Sequence, residues 1–313
     1  MTAGSVWFAD PDLVGQLPFL FRLYALYSRL MFFPAHARVF GGSFLLRLLG
    51  RLIAFAGLPD EIPLRVGECI IYLDLCDARM PMVIHEVRDF DVDLGILRNV
   101  LQPGDTFLDV GANHGTYSIV ASKLVGPDGA VVAVEAIPKL ARLIEKSLAA
   151  NRVRNFEVHT VAAGDASGAG TLFVPMKGSE SSSIYPSYWA GQKRLRIPVT
   201  LARLDDVLAW ERYPGRIVMK LDVEGSELAC LRGARRLIEA KRPVILLEIN
   251  PTSAAAAGQE PDAVLRHLAG LGYDRVGEVT QFPNTIPIER VDCSTQRNVL
   301  VHPCAIQAAK TRS

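Results

Sequence analysis

The sequence predicts an α/β fold, a Rossmann-like and mostly parallel sheet with helices on both faces, on three observations. Strand-like and helix-like stretches alternate from residue 106 to residue 303. The strands, such as "RIVMKLDV" and "PVILLEIN", are near-continuous apolar runs, the pattern of strands buried on both faces. Two of them end in turns containing acids and glycines, "DVGANHG" and "DVEGSE", that lead straight into helices.

The elements follow in order. "LRVGECIIYLDL" and "PMVIHEV" have β texture, residues 94–101 read as a short helix, and "QPGD" is a turn. Residues 106–110 form a strand and 116–125 a helix, and "GPDG" turns into the strand "AVVAVEA". Pro138 opens a helix running to residue 150, because the N–H that proline lacks has no partner at a first helical position. "FEVHTVAA" is the third strand, "TLFV" and "RLRIPVT" are extra strands around a polar loop, and "LARLDDVLAW" reads as a helix. "RIVMKLDV" is the fourth main strand, followed by a helix to residue 241, and "PVILLEIN" is the fifth. One more helix, "DAVLRHLAGLG", and two strands, "YDRVGEV" and "RNVLVHP", complete the series. The chain thus divides into an N-terminal helical extension (1–62), a β-hairpin and helix (63–105), a core domain (106–303) and a tail (304–313).

Composition narrows the function classes. The 313 residues carry 34 basic and 33 acidic side chains, a formal charge of +1, so no polyanion such as nucleic acid is indicated as a partner. The five cysteines, at 69, 76, 230, 293 and 304, form no Cys-x-x-Cys pair and suggest neither a zinc site nor a disulfide framework. With no basic leader at residues 1–10, the expectation is a reduced, cytoplasmic protein.

The chemistry sits at the strand ends, where open parallel sheets bind ligands. The first core strand supplies Asp109 and is followed by Gly111, Ala112, Asn113 and Gly115, where glycine permits close backbone approach. Glu135 closes the next strand, placed to accept two hydrogen bonds from a ribose diol. Ala163, at the end of the third strand, and Asp165, just beyond it, are further candidates for the same ligand. The turn lacks the Gly-x-Gly-x-x-Gly of a dinucleotide site and the Gly-Lys-Ser/Thr of a P-loop. An acid beside it suits a cationic ligand, such as the amino group or sulfonium of S-adenosylmethionine. After the fourth strand, "KLDVEGSE" supplies Asp222, Glu224 and Glu227; Glu227 is the acid best placed to satisfy helix N–H groups.

"DVGANHG", "AVEAIP", "KLDVEGSE" and "LLEINP", in that order and spacing, resemble the FkbM-type S-adenosylmethionine-dependent methyltransferases over residues 86–303. The resemblance implies a class I methyltransferase fold, a seven-stranded sheet with its last strand antiparallel, and O-methylation of a sugar or natural-product hydroxyl. It assigns Asp109, Gly111, Asn113 and Gly115 to the donor turn, Glu135 to the ribose, and Asp222, Glu224 and Gly225 to the Asp-Val-Glu-Gly signature. Glu248 matches the fifth-strand acid. His114 stands where the family more often has an apolar residue. Asp222, Glu224 and His114 are the candidate bases for the acceptor hydroxyl. A divalent metal held by Asp222, Glu248 and Asn250 is a minority reading, and no metal is expected. The loop 177–194, with its serines and Tyr185, Tyr188 and Trp189, is the candidate acceptor site. A dinucleotide-dependent oxidoreductase and a non-catalytic S-adenosylmethionine-binding relative are the alternatives.

The N-terminal region lies outside the resemblance. Residues 13–59 contain no acid but hold Arg22, Arg29, Arg38, Arg47 and Arg51 among Leu, Phe and Tyr. Neither of its apolar stretches is long and uncharged enough to span a bilayer. The expectation is a helical cap on the core with Arg22 and Arg29 exposed and Phe21, Leu23, Leu26 and Leu30 partly buried. Contact with a second subunit or a membrane surface is the other reading.

Overall fold

A computed structural model describes residues 6–8, 42–56, 61–66, 68–77, 92–175 and 181–304. At the N-terminal end, β1 (Val6–Phe8) pairs antiparallel with β2 (Glu61–Val66), which pairs antiparallel with β3 (Cys69–Asp74). Between β1 and β2 lies α1 (Gly42–Phe55). The segment expected as a helical extension (1–62) therefore also carries the strand β1. Its pairing partner is more than fifty residues away, so no local pattern announces it. The readings at Phe21, Arg22, Leu23, Leu26, Arg29, Leu30 and "PMVIHEV" fall outside the described residues.

The hairpin docks on the core through side chains that satisfy its backbone. Ser147 Oγ accepts the Tyr72 N–H (2.9 Å), and the Asn151 amide both accepts from Ile70 N–H and donates to Ile70 O. Glu61 pairs with Arg142 and Lys146. The four anchors Arg142, Lys146, Ser147 and Asn151 lie on one helix and its C-terminal cap, so β2–β3 and that helix form a single unit.

The core runs α2 (Val92–Val100), β4 (Thr106–Val110), α3 (Thr116–Val125), β5 (Ala130–Val134), α4 (Pro138–Ala150) and β6 (Phe156–His159). Next come β7 (Ala162–Ala163), β8 (Gly168–Pro175), β9 (Arg194–Ala202), α5 (Leu204–Val207) and β10 (Ile217–Leu221). The chain closes with α6 (Glu227–Gly233), α7 (Arg235–Lys241), β11 (Val244–Ile249), α8 (Pro251–Ala256), α9 (Ala263–Gly270), β12 (Tyr273–Glu278), β13 (Ile286–Pro287) and β14 (Arg297–Pro303). The main sheet has the order β13-β12-β14-β11-β10-β4-β5-β6. Strands β6, β5, β4, β10 and β11 are mutually parallel, and β14 is antiparallel to β11 and to β12. The expected seven strands are present, with the two-residue β13 as an added edge. Every residue of β4, β5 and β10 is buried, as strands packed on both faces must be. Alternation sends Phe107 and Val218 into one apolar layer and Leu108 and Met219 into the other.

Three elements differ from expectation. "FEVHTVAA" splits, because β7 leaves the main sheet to pair with β9. "LARLDDVLAW" holds only the four-residue α5 and a 3-10 turn at Trp210–Arg212. The helix after β10 breaks at Ala234, because the Asp205 carboxylate accepts N–H bonds from Arg236 (2.8 Å) and Leu237 (2.9 Å) and starts α7 afresh.

The order of the central strands fixes the site. Chain connections leave β4 and β10 toward opposite edges of the sheet, which opens a crevice above their carboxyl ends. In register, Asp109 stands beside Lys220 and Val110 beside Leu221, so the two acid- and glycine-bearing turns emerge side by side.

Candidate active site

The turn after β4 is shaped by backbone. Gly111 (φ 78°) and Ala112 donate their N–H groups to Val134 O at 2.9 and 3.1 Å. A Cβ on Gly111 would lie 1.8 Å from the carbonyl oxygen of Asp222, so only glycine lets the two turns close on each other. Asp222 N–H returns a bond to Val110 O. Glu135, 6 % exposed, accepts from Asn113 N–H (2.7 Å) and Ile137 N–H (2.8 Å), holding the turn while its carboxylate edges the cleft. Burial raises its pKa to about 7, against the opposing pull of those two N–H groups.

The turn after β10 is shaped by side chains. Glu224 adopts a left-handed backbone (φ 48°), a costly conformation for a non-glycine residue that is characteristic of functional turns. Glu227 accepts from Val223 N–H and Gly225 N–H, both in the turn ahead of α6, so it holds the turn and not the helix N–H groups it was expected to cap. Lys220 Nζ lies 3.0 Å from Asp222 Oδ2 and 4.9 Å from the centre of the Tyr117 ring. Burial alone would lower the Lys220 pKa, but Asp222 and Asp109 outweigh it and hold the ammonium above its ordinary value.

Residues 181–189 pass over this second turn. Ser183 Oγ donates to Glu224 O (2.6 Å), and Tyr188 OH donates to Glu224 Oε2 (2.9 Å). Glu224 is 8 % exposed, and burial, then the charges of Asp222 and Glu248, push its pKa up to about 9. Burial and Asp222 likewise raise Glu248 to about 7. Carboxylate oxygens of Asp222, Glu224 and Glu248 lie within 4.8 Å of one another. Asn250, the third ligand in the metal reading, spends its Oδ1 on the N–H groups of Thr252 and Ser253.

A cleft of about 800 Å³, mouth included, runs between the turns. Of the residues expected at the donor site, Gly111, Ala112, Asn113, Glu135 and Ala163 line it, as do Asp222 and Glu224. Four others do not. Asp109 is fully buried below the turn, accepts from Ser118 Oγ (2.7 Å) and faces Lys220, so it acts on the cleft only through neighbours. Gly115 packs under Ile144, and Asp165 is exposed outside the lining. His114 is 1 % exposed, with Nε2 3.3 Å from Asp77 Oδ2. It lies outside the cleft lining, beside the end of the β2–β3 hairpin, and not at the cleft wall where an acceptor base was expected. Sequence reading missed Lys220 and Tyr117; the alternation that puts Lys220 on the face of Asp222 was the available signal.

The cleft suits S-adenosylmethionine on the chemistry of its donor set. Glu135 offers acceptors for a diol, Lys220 with Asp222 offers both signs of charge to a zwitterionic amino acid, and Ala163 leaves room for a flat base.

A family model described as the Methyltransferase FkbM domain matches residues 109–275, just over half of the chain. Protein-L-isoaspartate O-methyltransferase of Aeropyrum pernix is 32% identical over 131 residues, 39% of this chain and 50% of the relative. A probable cobalt-precorrin-6B C(15)-methyltransferase of Sulfolobus acidocaldarius is 32% identical over 102 residues, 33% of this chain and 45% of the relative. The chain thus spans about half the length of the curated relatives it matches. Among solved structures, methyltransferase FkbM from Methylobacillus flagellatus aligns with a TM-score of 0.38 at 16% identity, over 72% of this chain and 54% of that one. A SAM-dependent O-methyltransferase from Thermotoga maritima aligns with a TM-score of 0.38 at 12% identity, over 68% and 64%. The match across both turns decides between the methyl-donor and dinucleotide readings: this chain belongs to the FkbM methyltransferase family.

Proposed function

We propose that the protein transfers the methyl group of S-adenosylmethionine to a hydroxyl of a sugar or natural-product acceptor, with Asp222 as the base. The bound donor would supply an electrophilic methyl on a cationic sulfur. The chain's own work is to align the acceptor oxygen and remove its proton.

The carrying observation is the contrast between two neighbouring acids. Asp222 faces the cleft with its side chain 34 % exposed and Lys220 Nζ at 3.0 Å, whereas Glu224, with a pKa of about 9, holds its proton at neutral pH. A protonated Glu224 donates hydrogen bonds and takes no proton, so the base role falls to Asp222. Tyr188 and Tyr185, carried over the turn by residues 181–189, offer the hydroxyls and ring faces that suit a polyol. Oxygen acceptors fit a carboxylate base because a hydroxyl must lose its proton as the new ether forms.

The test is an acceptor screen with isotope-labelled donor, followed by Asp222→Asn on the best substrate. Turnover should fall on the order of 10²–10⁴-fold, with donor affinity changed far less. A product labelled on carbon or on a carboxylate would overturn the hydroxyl assignment. Undiminished turnover in Asp222→Asn would remove the base.

A further inference from the structure

The described residues have five exposed large apolar side chains, Leu48, Leu52, Phe55, Leu195 and Ile286, and three of them share one helix. Leu48 is 41%, Leu52 43% and Phe55 92% exposed. At 3.6 residues per turn these positions fall within about 60° of each other on α1. Ile53 and Gly50 occupy the opposite side and are buried. The inner side is closely seated, since a Cβ on Gly50 would lie 2.3 Å from Leu75 O. The apolar outer stripe is therefore not a misplaced core face; the helix already has its core contacts. An exposed apolar stripe on a firmly seated helix marks a contact surface.

The charge pattern selects the occupant. Arg51 is exposed beside the stripe and Arg47 precedes it by one turn. Residues 13–59 as a whole carry five arginines and no acid. A two-fold contact with a second copy would set this same patch against itself, arginine facing arginine with no carboxylate from the segment to pair them. An anionic lipid surface offers what the segment lacks, negative head groups for the arginines and an acyl boundary for Leu48, Leu52 and Phe55. No helix among the described residues is long and apolar enough to cross a membrane, so the contact lies in the interface plane.

We propose that α1 is an interfacial helix that seats the enzyme on anionic membranes through Leu48, Leu52 and Phe55, flanked by arginine. The seat is joined to the donor turn by a short path. α1 packs on Leu75, and two residues on, Asp77 meets His114 within the turn itself. Acceptors carried by lipid would thereby be met at the surface where they reside.

The full chain is co-sedimented with vesicles of phosphatidylcholine alone and of phosphatidylcholine mixed with phosphatidylserine. Binding should require the anionic lipid and weaken with added salt. The double variant Leu52→Glu, Phe55→Glu should lose at least about tenfold in vesicle affinity with an unchanged unfolding midpoint. If that variant does not fold, Arg51→Glu, which alters only an exposed charge, should still cost about fivefold. Absence of wild-type binding to anionic vesicles overturns the proposal. So do equal binding to both vesicle types and undiminished binding by the variants. A wild-type dimer in light scattering that becomes monomeric in the double variant assigns the stripe to a second copy instead.

Discussion

The turns after β4 and β10 touch, where Gly111 meets the carbonyl of Asp222, yet they are built from different materials. In the first, glycines and a carboxylate at the next strand end shape the backbone, and the acid within the motif, Asp109, is buried out of reach. In the second, the backbone is held by Glu227, and two motif acids, Asp222 and Glu224, line the cleft, the pKa of Glu224 raised by burial and by the charges of Asp222 and of Glu248 on neighbouring β11. A turn that grips a ligand of fixed shape is well served by main chain, whose geometry does not vary with rotamers. A turn that handles protons needs side chains whose environments push their titrations apart.

Substitutions can break this contrast, and the largest effect is expected where the turns meet. Gly111→Ala places a Cβ 1.8 Å from Asp222 O and should lower unfolding free energy by about 3 kcal/mol or more in denaturant titration. Gly104→Ala is its control: the φ of 88° is similar, but nothing lies within 4 Å, so the cost should be about 1 kcal/mol. Equal losses would mean that backbone strain, and not the contact between the turns, dominates.

Glu135→Ala comes next. Donor affinity measured by calorimetry should fall by about 1–3 kcal/mol from unpaired hydroxyls. Stability should fall as well, since the N–H groups of Asn113 and Ile137 lose their acceptor. A loss of affinity with full stability would separate gripping from shaping in the first turn.

Glu224→Gln should have the smallest effect on rate and a clear one on pH dependence. Glutamine imitates the protonated acid, so turnover at neutral pH should stay within about tenfold of wild type. The folded Glu224 carboxyl titrates near 9 and the free side chain at 4.5, so between those values the native state holds a proton that the unfolded chain releases. Wild-type stability from this group is complete below 4.5 and is lost as pH rises toward 9. The unfolding midpoint of Glu224→Gln should therefore gain on wild type as pH increases across that window. Parallel curves would show that Glu224 ionises freely and return it to the list of bases.

Periodicity and turn chemistry carried the core domain. Pro138 began its helix and buried strands read as apolar runs because both signals are local. What failed was non-local. Val6–Phe8 is a strand only because β2 is there to pair with it. His114 looked available because its turn faces a cleft, and only the distant Asp77 shows where its ring goes. Asp222 and Glu224 were visible at a strand end, whereas the difference between them, one open to the cleft and the other buried against Tyr188, depends on contacts that no spacing encodes.

Asn250 joins these pieces through the two ends of one amide. Its oxygen fixes the first N–H groups of α8, and its nitrogen reaches Tyr188 OH (3.2 Å) and Glu224 Oε2 (3.4 Å). The polarity of that amide matters more than its size. An aspartate of the same shape would keep its grip on α8 but present an oxygen, in place of a donor, to a site already crowded with carboxyl groups. Exchanging one NH₂ for one oxygen would thus set the cover over the second turn against the floor beneath it, with the helix unchanged. The chain reads the pose of its cover from the orientation of a single side-chain dipole.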